Sequence, residues 1–134
     1  MQSNALFALL SARQRWLGAR FNLLAQNVAN ADTPGYRARD LDGASFERLL
    51  ARRLTGDPPE ALRRTDPTHL PGPPQRVSTR ARPVPAVEVS PNGNTVVLAE
   101  QVQKLAATER DYALATSLFR KFRTMFETAV GSPR

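Results

Sequence analysis

The chain has no cysteine, a single histidine, and only two lysines among nineteen basic residues. The first absence removes disulfides, thiolate metal sites and a cysteine nucleophile together, and it leaves the redox compartment unreadable. The histidine, His69 in DPTHLPG, has no second imidazole with which to hold a metal or build a triad, so it reads as a solvated loop residue. No glycine-rich phosphate loop is present, and the carboxylates are dispersed or sit beside arginine. Catalysis therefore has no foothold, and no cofactor or metal is expected. No apolar run approaches the roughly 20 residues that cross a bilayer. ALFALL, residues 5–10, could pass for a signal-peptide core, but no Lys or Arg precedes it and its periodicity runs on beyond it. It reads as the start of a retained helix.

What the chain has in abundance is arginine. A net charge of +7 raises nucleic acid or an acidic surface as partners. Yet the arginines are scattered from Arg13 to Arg134, and only Arg52-Arg53 and Arg63-Arg64 are adjacent. That is the pattern of a solvated surface rather than a phosphate-tracking stripe. A basic nucleic-acid-binding helical protein is the alternative reading; it requires aromatics stacked near the arginines, whereas Phe and Trp sit on the apolar lines. A membrane-surface helix is disfavoured by Glu100, Glu109, Asp111 and Glu127 near the C-terminus.

Residues 3–30 carry the strongest periodicity. Counting sevens gives one line of Phe7, Gln14, Phe21 and Val28 and another of Leu10, Leu17 and Leu24. A second stripe, Leu9, Trp16 and Leu23, lies about 100° round the helix. Residues 98–130 repeat the design with Leu105, Tyr112, Phe119 and Phe126, joined by Ala115, Phe122 and Ala129, and a flanking stripe of Leu114, Leu118 and Met125. The expected fold is mainly α: long N- and C-terminal helices packed as a coiled-coil-like pair, forming one structural domain.

Between them, residues 57–91 hold nine of the eleven prolines and lack the apolar density of a core, which predicts an extended or partly disordered middle. Two local elements interrupt it. ASFERLLARRL, residues 44–54, suits a short helix with Phe46, Leu49, Leu50 and Leu54 on one face. PNGN, residues 91–94, is a turn signal that predicts a small hairpin between VPAVEV and TVVL. The organisation is thus a first helix with its exit corner (1–42), a variable middle (43–96) and a last helix (97–134).

The corner is NVANADTPGYRARDLD, residues 27–42. Asn27 and Asn30 stand where helix carbonyls lack partners, and asparagine can cap there or turn left-handed. In the turn that follows, Thr33 is pushed into an extended conformation by the next residue, Pro34 sets φ, and Gly35 supplies the positive φ of a type II turn. Tyr36 is then delivered at a defined spot.

ANADTPGYRARDLD (29–42) resembles the N-terminal signature of the flagellar axial family, the rod, hook and hook–filament junction subunits, and its proximal rod branch in particular. NGNTVVLAEQVQKLAATERDYALATSLFRKF resembles that family's closing segment. The resemblance implies a subunit whose two helices line the inner layer of a helical tube that transmits torque. It implies neighbours among other rod subunits and the adaptor and MS-ring proteins beneath them, with passage through the flagellar type III export apparatus without signal cleavage. Asn27, Asn30, Asp32, Thr33, Pro34, Gly35 and Tyr36 would hold the corner. Arg37, Arg39, Asp40 and Asp42 would be free for ion pairs with adjacent subunits.

Both helices are two-sided in their apolar demand, and the middle offers little to cover the second side. Burying one Leu or Phe is worth roughly 1.5–3 kcal/mol, so half a dozen such groups left wet would forfeit more than a domain's stability of about 5–15 kcal/mol. The expectation is a subunit weakly ordered alone, whose flanks are covered by partners.

Overall fold

The computed structural model describes residues 2–55 and 78–131, with side chains over 5–52 and 78–131. In chain order it contains α1 (Gln2–Ala29), β1 (Arg39–Leu41), α2 (Ala44–Thr55), β2 (Ala81–Pro83) and α3 (Leu98–Val130). The protein is mainly helical, with long helices at either end where the heptad lines predict them. At 1.5 Å per residue α1 runs about 42 Å and α3 about 50 Å. Much of the proline-rich middle, residues 56–77 with His69, lies outside the described residues, as does the side chain of Leu54.

α1 and α3 pack side by side and antiparallel. At one end Phe7 meets Phe119 and Phe126 edge-on, with ring centroids 5.4 and 6.2 Å away. Midway, Gln14 Nε2 donates to Thr116 Oγ1 at 3.2 Å. At the other end Asn27 Nδ2 donates to Gln101 Oε1 at 2.9 Å. Leu17 and Leu24 are fully enclosed, and Leu10, Val28, Leu105 and Phe122 are half-buried beside them.

The face that α3 turns to α1 is the line Gln101, Thr108 and Ala115, all buried. Phe21, Tyr112 and Phe126, expected in the seam, stay 43%, 45% and 45% exposed. The cause is geometric. A straight helix drifts about 20° per heptad against a seven-residue repeat, and the small side chains of Thr108 and Ala115 occupy the closest approach, displacing the larger rings to its margin.

The second stripe of α1 is covered by the chain itself. Trp16 and Leu23 are only 3% and 9% exposed, in a cluster with Leu17, Leu41 of β1 and Ala115 of α3, flanked by Ala81 of β2. The expectation that a partner must cover both helices is corrected for α1. On α3 the flanking line is open among the described residues: Leu114 and Met125 are 60% and 55% exposed and Leu118 is 37% exposed.

The two strands form an antiparallel ribbon with Arg39 opposite Pro83, Asp40 opposite Arg82 and Leu41 opposite Ala81. It is not the hairpin predicted around PNGN. That turn does close, with Ser90 N–H donating to Asn94 O and Gly93 N–H to Ser90 O, each at 2.8 Å. Its two arms instead pair with the corner: Val84 N–H donates to Ala38 O at 3.0 Å, and Thr95 N–H to Tyr36 O at 3.0 Å. Within the predicted arm, Pro85 brings no N–H to a ladder.

α2 starts where Asp42 caps it. The Asp42 carboxylate accepts Ala44 N–H at 3.1 Å, and its carbonyl accepts Ser45 N–H at 3.2 Å.

Candidate assembly site at the corner and along the last helix

α1 ends because its last carbonyls are claimed one by one. Asn30 N–H is shared between Gln26 O at 3.1 Å and Asn27 O at 3.2 Å, and Asn30 Nδ2 also donates to Gln26 O at 2.8 Å. Thr33 Oγ1 then donates to Asn30 Oδ1 at 3.2 Å. No asparagine turns left-handed: among the described residues positive φ belongs to glycine alone. Gly35, at φ 68°, takes the position the type II turn reserves for it, and Tyr36 N–H closes the turn on Thr33 O at 3.3 Å. Gly93, at φ 79°, lies against it, and Gly35 N–H donates to Asn92 O at 2.9 Å. Two tight turns therefore meet backbone to backbone. Asp32 and Pro34 face outward at this corner.

Two buried asparagines hold the junction. Asn27 Nδ2 donates to Arg39 O at 2.7 Å and to Gln101 Oε1, while its Oδ1 accepts Tyr36 Oη–H at 3.1 Å and Arg39 N–H at 3.2 Å. One side chain thus ties α1, the corner and α3 together with both donors and both lone pairs in use. Asn94 does the same for the second turn. Its Nδ2 donates to Asn30 O at 2.9 Å and Thr33 O at 2.7 Å, and its Oδ1 accepts Val96 N–H at 2.7 Å. Asn94 was legible only as a turn residue. Its burial follows from the carbonyls that the end of α1 leaves open beside it.

The charges divide. Arg20 grips Asp40 with two parallel bonds of 2.9 and 2.8 Å, and the hydrogen bond to Asp40, ahead of opposing burial, raises the guanidinium further above its ordinary range. Asp42 bonds Arg48 at 3.0 Å and lies 3.7 Å from Arg82. The bond from Arg48 is the main cause holding its carboxyl below the usual value. Asp40 and Asp42, expected to be free, are thus committed inside the chain, because the turn into β1 and α2 aims them back at α1 and at α2's own first turn. Arg37 and Arg39 are exposed and have no ion pair among the described residues.

Two guanidinium groups lie over the Trp16 ring, Arg13 at 5.2 Å and Arg20 at 5.5 Å from its centroid. Arg13 also bonds Asp111 at 3.1 Å and covers the Phe46 ring at 4.7 Å. Both arginines are thereby engaged in packing α1 against its neighbours. Among the described residues no His, Cys, Asp and Glu cluster could hold a metal ion, and no helix is long and apolar enough to cross a membrane. What the arrangement offers is a rigid corner and an uncovered apolar line.

The chain matches no protein-family model. It is 33% identical over 128 residues to the flagellar basal body rod protein FlgB of Agrobacterium fabrum, covering 93% of this chain and 92% of that protein. It is 33% identical to FlgB of Escherichia coli K12 over 73% of this chain and 72% of the relative. Its identity with FlgB of Cereibacter sphaeroides ATCC 17029 is 35%, over 83% and 82%. Two long paired helices and a sealed corner are therefore the frame of a structural component of the flagellar rod. The chain belongs to the FlgB family of flagellar basal body rod proteins.

Proposed function

We propose that this chain is a subunit of the proximal rod, built by α1 and α3 into the inner layer of a helical tube that carries torque through the periplasmic space. The single observation that supports it most is the α3 line Leu114, Leu118 and Met125, which is exposed among the described residues whereas Trp16 and Leu23 of the corresponding α1 line are buried. Each such group gains roughly 1.5–3 kcal/mol on burial, so the driving force for incorporation resides on α3. The neighbours in this reading are other rod subunits and the adaptor and MS-ring proteins. Arg37 and Arg39 take carboxylates on an adjacent subunit and set register there.

Export through the flagellar type III apparatus, with no signal removed, belongs to the same proposal. Its support is that Phe7, within the candidate signal-like run, packs on Phe119 and Phe126. The nucleic-acid alternative loses ground because Arg13 and Arg20 are engaged with carboxylates and with a buried Trp16. The test is complementation of a strain lacking its FlgB. The wild-type chain restores swimming, and Met125→Glu, a change on the exposed line, abolishes it without loss of the soluble protein's helicity. Full swimming with Met125→Glu would overturn the reading.

A further inference from the structure

We propose that, outside any assembly, two copies of this chain pair antiparallel through α3 about a two-fold axis between Leu114 and Leu118. The positions Ala107, Asp111, Leu114, Leu118, Lys121 and Met125 fall within an arc of about 80° at 100° per residue, some 100° round from the face that meets α1. Leu114, Leu118, Met125, Asp111 and Lys121 are all exposed there.

In an antiparallel pairing about this midpoint each position meets the one equally far on the other side. Leu114 meets Leu118 of the second copy, Asp111 meets Lys121, and the small Ala107 meets the long Met125. Every layer is complementary in charge or in size. A parallel pairing would set Asp111 against Asp111 and Lys121 against Lys121, two like-charge layers in one seam, so the charges choose the antiparallel arrangement. Asp111 Oδ2 bonds Arg13, while Oδ1 has no partner among the described residues and neither does Lys121 Nζ.

A cleft marks the same midpoint. It measures about 170 Å³ and opens between α1, α2 and α3, with Leu9, Arg13 and Phe46 on one side and Leu114 and Leu118 on the other. A leucine of the second copy enters it. The contact is isologous and closes on itself, whereas a tube needs head-to-tail contacts that stay open. The dimer is therefore a closed form that hides the exposed line; the pairing itself does not depend on the rod reading, and only its competition with incorporation rests on it.

The measurement is sedimentation equilibrium of the full chain from about 1 μM to 1 mM, with helicity followed in parallel. The wild type is expected to pass from monomer to dimer and no further. Lys121→Glu should weaken the dimer at least about tenfold, and Asp111→Lys with Lys121→Glu should return it to within about threefold. Because the chain lacks cysteine, Ala107→Cys and Met125→Cys chains mixed and oxidised report direction. Mixed disulfides are expected to dominate. A monomer at every concentration, a Lys121→Glu chain with unchanged dimerisation, or a predominance of the Ala107→Cys homodisulfide would each overturn the proposal.

Discussion

Asn27 and Gln101 meet across the helix pair, Nδ2 to Oε1 at 2.9 Å, at residues that are both almost fully buried. A polar contact of this kind stabilises only one register, because sliding either helix by a turn would leave both amides unpaired away from water.

Asn27→Ala should therefore cost about 3 kcal/mol in urea unfolding, since it orphans groups of Tyr36, Arg39 and Gln101 at roughly 1–3 kcal/mol each, partly relieved by relaxation. In a double-mutant cycle with Gln101→Ala the coupling should reach about 1 kcal/mol. A cycle that sums to zero would show that the pair does not set register.

Gly35→Ala should destabilise by about 1–2 kcal/mol, the left-handed penalty of a Cβ, and Gly35→Val by more. The penalty comes from the backbone alone, because an added Cβ meets no atom within 4 Å. Gly35→Asn should be the mildest of the three. Equal losses for Ala and Asn in thermal unfolding would point to a crowding effect instead. Gly35→Val is also expected to abolish swimming in a complemented strain.

The Arg20–Asp40 clasp is mostly enclosed and bidentate, so Asp40→Ala should cost about 1.5–3 kcal/mol. Arg20→Lys should recover only part of the loss caused by Arg20→Ala, because an ammonium cannot reproduce the fork. Guanidinium unfolding of the set checks both statements; a fully wild-type Arg20→Lys would refute the geometric reading.

Asp42 has a folded pKa below its ordinary 3.8, chiefly through the bond from Arg48. A depressed carboxyl pKa contributes stability that is complete above the unfolded value and is lost as pH falls through the folded one. The start of α2 should thus hold at pH 5 to 7 and loosen only in strong acid, and the Asp42 carboxyl resonance should titrate below 3.8. Asp42→Asn should remove that acid step. A midpoint at or above 3.8 would contradict the assignment.

Trp16 Nε1 is buried without an acceptor, the one such side-chain atom among the described residues. Trp16→Phe should accordingly cost less than about 1.5 kcal/mol, since lost area is offset by removal of an unsatisfied donor, whereas Trp16→Ala should cost about 3–5 kcal/mol. Chemical unfolding that ranks the two substitutions equal would show that the indole is not packed as described.

Local pattern carried much of this architecture and little of its polar interior. The ends of α1 and α3 and the position of α2 follow from the 3.6-residue period, and the corner follows from Thr33, Pro34 and Gly35, because each is a short-range effect. The β1–β2 ribbon joins three-residue strands some forty residues apart, so no local period announces it. Gln101, Thr108 and Asn94 are polar, and polarity argues for solvent unless the partner is known; their partners lie at the far end of another element. The local pattern points Asp40 and Asp42 outward for the same reason, since Arg20 and Arg48 reach them only after the chain has turned.

The uneven covering of the two long helices divides the chain's freedom to change. A substitution at Trp16 or Leu23 can be compensated at Leu41 or Ala81 within the same gene. Leu114 and Met125 lie outside the cluster around Trp16 and are exposed among the described residues, so in the proposed rod contact a substitution there is answered by the surface that settles on that line. On that proposal the first half of the molecule drifts alone, while the exposed line of the last helix drifts in company.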